Sequence, residues 1–156
     1  MKRTPILIHD DREKLPWVID GFTTRIDRLT YGDYTIKGFE KYLRIERKNS
    51  WEEIASNLST EKNRRNLYRN LRNLHKLNGI TAIFVEESFA SLPLMKRFSG
   101  YVTFKTVMDF CGIALVQYNT PVIPIGKGPV RDEFLHKFFH RVITDHKFGK
   151  SWYKKL

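Results

Sequence analysis

The chain has 156 residues, 41% apolar and 13% aromatic, which suits one domain that buries roughly two-thirds of its unfolded surface and excludes a disordered tail. With 28 basic residues against 17 acidic ones the formal charge is +11; such a surface seeks polyanions, nucleic acid first among them, the plain alternative being a solvated basic face with no specific partner. Cys111 is the lone cysteine and sits in an apolar stretch, so a disulfide framework and a thiolate zinc site are excluded, and no apolar run is long enough to make a membrane partner.

The first element is Pro5-Ile6-Leu7-Ile8, a short apolar run that leads into His9-Asp10-Asp11-Arg12-Glu13, as a buried strand leading to a site does. Only Met1-Lys2-Arg3 and that short run stand where a secretory signal would need a longer apolar stretch, so the expected setting is reducing and intracellular, cytoplasm or nucleoid. Thr23 to Leu29 alternates and reads as a second strand. Tyr34–Ile36 and Tyr42–Arg47 flank the turn Lys37-Gly38-Phe39-Glu40-Lys41 and form a hairpin. Ser50 is the N-cap of a helix from Trp51 to Leu58, with Glu53 placed to complete a capping box. A second helix runs from Glu61 to Leu77, carrying Leu67, Leu71, Leu74 and Leu77 at helical spacing.

Ile80–Val85 is another buried strand, and Phe89–Phe98 reads as helical despite Pro93. Thr103–Tyr118 is a long, mostly apolar helix. Thr120–Ile125 is a short strand whose two prolines put it at a sheet edge. Arg131–Asp145 is the last helix, and a basic aromatic tail follows from about residue 147. About five strands and five helices, with no linker or repeat, predict a single α/β domain over residues 1–156, a mixed central sheet flanked by helices.

The chemistry concentrates in the hairpin. Asp33 stands at its mouth and Ile45-Glu46-Arg47-Lys48 lies on the returning strand. The period of two puts Glu46 and Lys48 on one face and Arg47 on the other. Two carboxylates closing on one divalent cation, with a lysine beside the second, is a compact way to cleave a phosphodiester. The plain reading of the same residues is a surface Glu-Arg-Lys ladder.

Taken together, Asp10-x-Arg12-Glu13, Gly32-Asp33-Tyr34, Ile45-Glu46-Arg47-Lys48 and an acid four residues past the lysine, Glu52, resemble the nuclease domain of the XPF family. Those are structure-specific DNA endonucleases of the PD-(D/E)xK superfamily. The motifs run from about Pro5 to Glu87, and the element order continues to about Arg141. The resemblance implies a restriction-endonuclease-like fold and a Mg2+ or Mn2+ ion held by Asp33, Glu46 and the backbone carbonyl of Arg47. Asp10 is placed in the acidic cluster, to bind a second ion or orient a water; Lys48 is placed on the attacking water or the scissile phosphate. Glu52 stands where the family has aspartate and is expected as an outer acid. Arg12 and Glu13 match the motif as supporting residues, Arg12 either pairing with carboxylates or contacting phosphate. Arg47 is expected to support the fold from behind, and Glu86, at a strand end, to support the site.

The stretch from Lys62 to Arg72 is the densest basic run; Arg65, Arg69 and Arg72 share one helical face, and Arg64 best matches a family arginine. These four, with Lys147 and Lys150 in the tail, are the candidate DNA contacts, against the alternative of a solvated helix face and a tail packed on the domain. The resemblance also implies a homodimer or heterodimer through the helices Thr103–Tyr118 and Arg131–Asp145. The family's helix-hairpin-helix module has no counterpart in these residues, so a standalone catalytic domain is expected. His136 and His140, four apart, lack the glutamate of a zinc protease, and Gly126-Lys127-Gly128 is a turn. The resulting expectation is a metal-dependent DNA endonuclease, with a catalytically silent DNA-binding subunit and an RNA-directed nuclease as rivals.

Overall fold

The structure, a computed structural model, describes residues 4–94 and 102–147. Strands β1 (Ile6–Asp10), β2 (Thr23–Asp27), β3 (Tyr34–Ile36), β4 (Leu43–Lys48), β5 (Ile80–Val85) and β6 (Val122–Pro124) form one six-stranded sheet in the order β2-β1-β3-β4-β5-β6. β3 is antiparallel to both of its neighbours, β1 and β4, whereas β1 with β2, β4 with β5 and β5 with β6 pair in parallel. Every strand but β3 therefore runs the same way. The C-terminal ends of β1, β4 and β5 and the start of β3 share one end of the sheet.

Four α-helices, among the described residues, cover the two faces: α1 (Trp51–Ser59), α2 (Glu61–His75), α3 (Phe104–Tyr118) and α4 (Pro129–Lys147). Alternation along β5 shows the layering. Ile83 and Val85 pack with Trp51, Leu71 and Phe110 under α1–α3, while Ala82 and Phe84 pack with Leu135 and Phe139 under α4. A strand covered on both faces reads as an unbroken apolar run, which is why Ile80–Val85 has no polar alternation. No helix of the described residues is long and apolar enough to cross a membrane.

The architecture is the α/β one expected, a mixed sheet flanked by helices, with six strands rather than about five. β6 is an edge strand, as its prolines require. The segment Phe89–Leu94 is a short 3-10 helix instead of an α-helix; Pro93 has no N–H for an α-helical ladder, and residues 95–98 lie outside the described residues. α4 begins two residues earlier than expected, at Pro129, a residue pre-set for a helix's first turn. Ser50 caps α1 by accepting the Glu53 N–H, but the box does not close. The Glu53 carboxylate instead accepts from the Asn49 N–H at 2.9 Å and from Lys48 Nζ at 3.1 Å. Two glycines fix the sheet's geometry. Gly32 has φ +70 in the turn before β3, and a Cβ at Gly79 would lie 2.2 Å from the Tyr42 carbonyl oxygen, where the chain enters β5 beside β4.

Candidate active site

β4 sorts its side chains as the period of two demands. Leu43 and Ile45 enter the core beneath α4, and Glu46 and Lys48 emerge on the α1–α2 side, where they line a cleft of about 270 Å³ with Asn57, Asn63, Asn66 and Asn70. Both residues are nearly buried, 8% exposed, and both open onto this cleft. Lys48 Nζ lies 3.0 Å from Glu46 Oε1 and 3.1 Å from Glu53 Oε1. Burial alone would lower the lysine's pKa, but the two carboxylates outweigh it and hold the ammonium above its usual range.

Asp33 joins this pair from the neighbouring strand. Its N–H donates to the Ile45 carbonyl at 2.7 Å, and its Oδ2 accepts the Arg47 N–H at 2.7 Å. That places a half-buried carboxyl against β4 beside Glu46. Burial and then the charge of Glu46 push the Asp33 carboxyl well above the usual carboxylate range. Two acids forced together in this way are at odds until a cation or a proton sits between them. Among the described residues there is no group of three or more His, Cys, Asp or Glu poised around a metal position, so the acidic core of the site is the Asp33–Glu46 pair.

Asp10 ends β1 near this pair, tied through its N–H to the Asp33 carbonyl at 2.8 Å. Its carboxylate is otherwise engaged: Oδ1 accepts from the Arg12 N–H and the Arg12 guanidinium, and Oδ2 from the Leu29 N–H at 2.8 Å. Burial pushes this carboxyl up, but those hydrogen bonds prevail and hold it below its ordinary value. Asp10 thus clamps both ends of the segment between β1 and β3. The Arg12 guanidinium binds Asp10 and the Leu29 carbonyl, the carboxylate pairing expected as one of its two roles, and its side chain stays largely exposed.

Behind β4, Arg47 reaches the opposite face. It donates to Glu13 at 2.9 Å, to the Leu15 carbonyl at 2.6 Å and to Glu86 at 2.9 Å, with its guanidinium carbon 5.6 Å from the Trp17 ring centre. Glu86 also accepts from Trp17 Nε1 at 2.6 Å and from Arg131 at 3.0 Å. Glu13 further accepts the Tyr34 hydroxyl, and Tyr34 stacks on Trp17 with centroids 4.1 Å apart. The supporting positions Glu13, Arg47 and Glu86 form one network that joins the β1–β2 loop, β4, β5 and α4.

Glu52 needs correcting. It is exposed, and of the two acids in the first turn of α1 it is Glu53 that reaches Lys48. Trp51 is fully buried and fixes the helix's rotation, so position 52 faces solvent and position 53 faces back to the strand end. Glu87 caps the same helix by accepting the Trp51 N–H at 2.9 Å. Arg64, Arg65, Arg69 and Arg72 are exposed on α2, Arg65 bound to Glu61 and Arg69 to Asn66 at 3.0 Å. None lines the cleft, whose wall is the adjacent stripe Asn63, Asn66 and Asn70, three and four residues apart. Those asparagines, and Glu53, were missed in the sequence; helical phasing from Leu67, Leu71 and Leu74 is the signal that finds the stripe. The side chain of Lys147 and all of Lys150 lie outside the described residues.

No family model and no curated protein matches the chain by sequence. By structure the chain is similar to XPF from Aeropyrum pernix, with a TM-score of 0.63 at 16% identity, covering 88% of this chain and 61% of that one. It is likewise similar to XPF from Aeropyrum pernix in complex with DNA, with a TM-score of 0.65 at 18% identity, covering 90% and 66%. The chain thus spans about two-thirds or less of the length of these structures, and at such identities the likeness establishes the fold alone, an XPF-like one.

Proposed function

We propose that the chain is a divalent-metal-dependent endonuclease that hydrolyses phosphodiester bonds in DNA, with branched, flap or nicked DNA as the substrate class added by the resemblance to XPF nucleases. The observation that carries this reading is the convergence of Asp33, Glu46 and Lys48 at the C-terminal end of β4, where Glu46 and Lys48 line an open cleft and Asp33 stands against Glu46. Ligand sites in open α/β sheets favour that end of the strands. A binding module gains nothing from crowding acids next to a polyanion, which disfavours the silent-subunit alternative. The DNA complex of the fold neighbour favours DNA over RNA.

The residues fit Mg2+ or Mn2+. Mg2+ binds oxygen through one or two carboxylates and keeps several waters, which matches a pair rather than a cage. Each oxygen of Asp33 and Glu46 that already accepts one hydrogen bond keeps a second lone pair. The Arg47 N–H points at Asp33, and the carbonyl of a strand residue lies along the same edge, so Arg47 would be the source of a third protein oxygen. When bound, the cation neutralises charge at the phosphate and acidifies a water. Lys48, kept charged by Glu46 and Glu53, holds a phosphate oxygen or the attacking water by hydrogen bonding. Arg47, Glu13 and Glu86 keep β4 from shifting, and Asp10 holds the loop that delivers Asp33. Asp10 acts in this reading through the loop, and the one lone pair left on its Oδ2 is what it would offer a second ion or a water.

The test is cleavage of labelled duplex, single-stranded, flap and fork DNA in Mg2+ and in Mn2+. The expected result is metal-dependent cutting that Asp33→Asn and Lys48→Ala each reduce by about two orders of magnitude or more, the usual effect of removing one charged group from the transition state's surroundings. DNA binding without cutting in either metal would overturn the reading in favour of a binding subunit.

A further inference from the structure

The cleft beside Glu46 and Lys48 has an unusual wall for so basic a chain: carboxamides, with no arginine or lysine other than Lys48 itself. One of them touches the acid. Asn70 Nδ2 donates to Glu46 Oε2 at 2.7 Å, while Lys48 holds Oε1 at 3.0 Å. A carboxylate only accepts, so the amide must present its NH2 here and its orientation is fixed by chemistry. Glu46 is consequently held at both oxygens, once from its own strand and once across the cleft from α2.

Lys48 alone leaves the carboxylate free to rotate about its last bond; a second donor fixed to a helix does not. The helix is itself fixed, since Leu67, Leu71 and Leu74 bury one side of α2 in the core. The donor is also neutral. An arginine at position 70 would pair with Glu46 and compete with any cation for its charge, whereas an amide orients the carboxylate and leaves its charge unspent. The geometry points to Asn70 as a positioning residue that presets Glu46 toward Asp33 for a divalent cation. This inference rests on the metal-dependent reading above and adds to it a residue outside the motifs.

The experiment is Mn2+ titration of the whole chain, free Mn2+ being followed by its electron paramagnetic resonance signal, for the wild type, Asp33→Asn, Asn70→Ala and the near-isosteric Asn70→Leu. Melting temperatures are measured in metal-free buffer alongside. Loss of an outer hydrogen bond to a metal ligand typically weakens affinity by about 10- to 100-fold, so both Asn70 variants are expected to bind Mn2+ at least about tenfold more weakly. Their metal-free melting temperatures should stay close to that of the wild type, because Asn70 is half-buried and its loss leaves Lys48 on Glu46. If both Asn70 variants bind like the wild type while Asp33→Asn does not, the positioning role is overturned and the metal reading stands. If the wild type itself binds no Mn2+, the metal reading falls and the role of Asn70 falls with it.

Discussion

Arg47 is the residue on which the architecture behind the site turns. Its guanidinium meets Glu13, Glu86 and the Leu15 carbonyl at once, and its side chain is 9% exposed. Removing it strips Glu13 of this ion pair and Glu86 of one of its two, and breaking a buried pair in this way costs about 3–5 kcal/mol. Arg47→Ala should lose that much in urea unfolding, and Glu86→Gln less, since Trp17 and Arg131 still meet a neutral acceptor there. The network also has a pH signature. Burial pushes the Glu86 carboxyl up, but the hydrogen bonds from Arg47 and Trp17 and the charges of Arg47 and Arg131 hold it below its ordinary 4.5. A carboxyl depressed in the folded state contributes stability that is fully present above its unfolded pKa and is lost as pH falls through the folded value. Unfolding free energy should therefore decline as pH drops below about 4.5, and the decline should be shallower in Glu86→Gln, as denaturation followed from pH 7 down to pH 3 would record.

At the scale of elements, strands were legible and helix rotation was not. The period of two on β4 assigned Glu46, Arg47 and Lys48 to their faces without any tertiary information, and the prolines of β6 declared an edge. Asp33 was legible because a Gly-Asp at the mouth of a hairpin puts its carboxylate beside the returning strand. The errors came where a small rotation decides the outcome. Glu52 and Glu53 differ by 100° around α1, and only the depth of Trp51, a tertiary fact, chooses between them. On α2 the arginines dominate the eye by charge, yet Leu67, Leu71 and Leu74 turn the asparagines to the cleft and Arg65, Arg69 and Arg72 away from it. Those arginines remain well placed for phosphates outside the cleft. Arg69→Gln with Arg72→Gln should weaken DNA binding equally across sequences and reduce the slope of log affinity against log salt by about two, one for each phosphate left unneutralised. Fluorescence anisotropy from 50 to 300 mM salt reads that slope; an unchanged slope would return this face of α2 to plain solvation.

The molecule as a whole carries a formal charge of +11 and, on α3, a stripe of exposed apolar side chains. Phe104, Met108 and Leu115 are 40%, 43% and 53% exposed, and their spacing puts them within about 40° of one another around the helix. α3 covers one face of the sheet and α4 the other, with edge strand β6 between them in the chain. The dimer implied by the family resemblance is consistent with that stripe: apolar attraction at α3, set against the mutual repulsion of two basic chains. The two forces answer differently to salt. Burial of apolar surface is insensitive to screening, whereas repulsion between charges fades once the Debye length drops to about 10 Å near 0.1 M salt. Self-association should therefore tighten as salt rises over the range in which DNA binding weakens. Sedimentation velocity on the wild type should show dimer increasing between 50 and 300 mM salt, and Met108→Glu with Leu115→Glu should leave monomer throughout with unchanged helix content. A wild type that stays monomeric at every salt concentration would remove α3 as an interface and leave the charge to DNA alone.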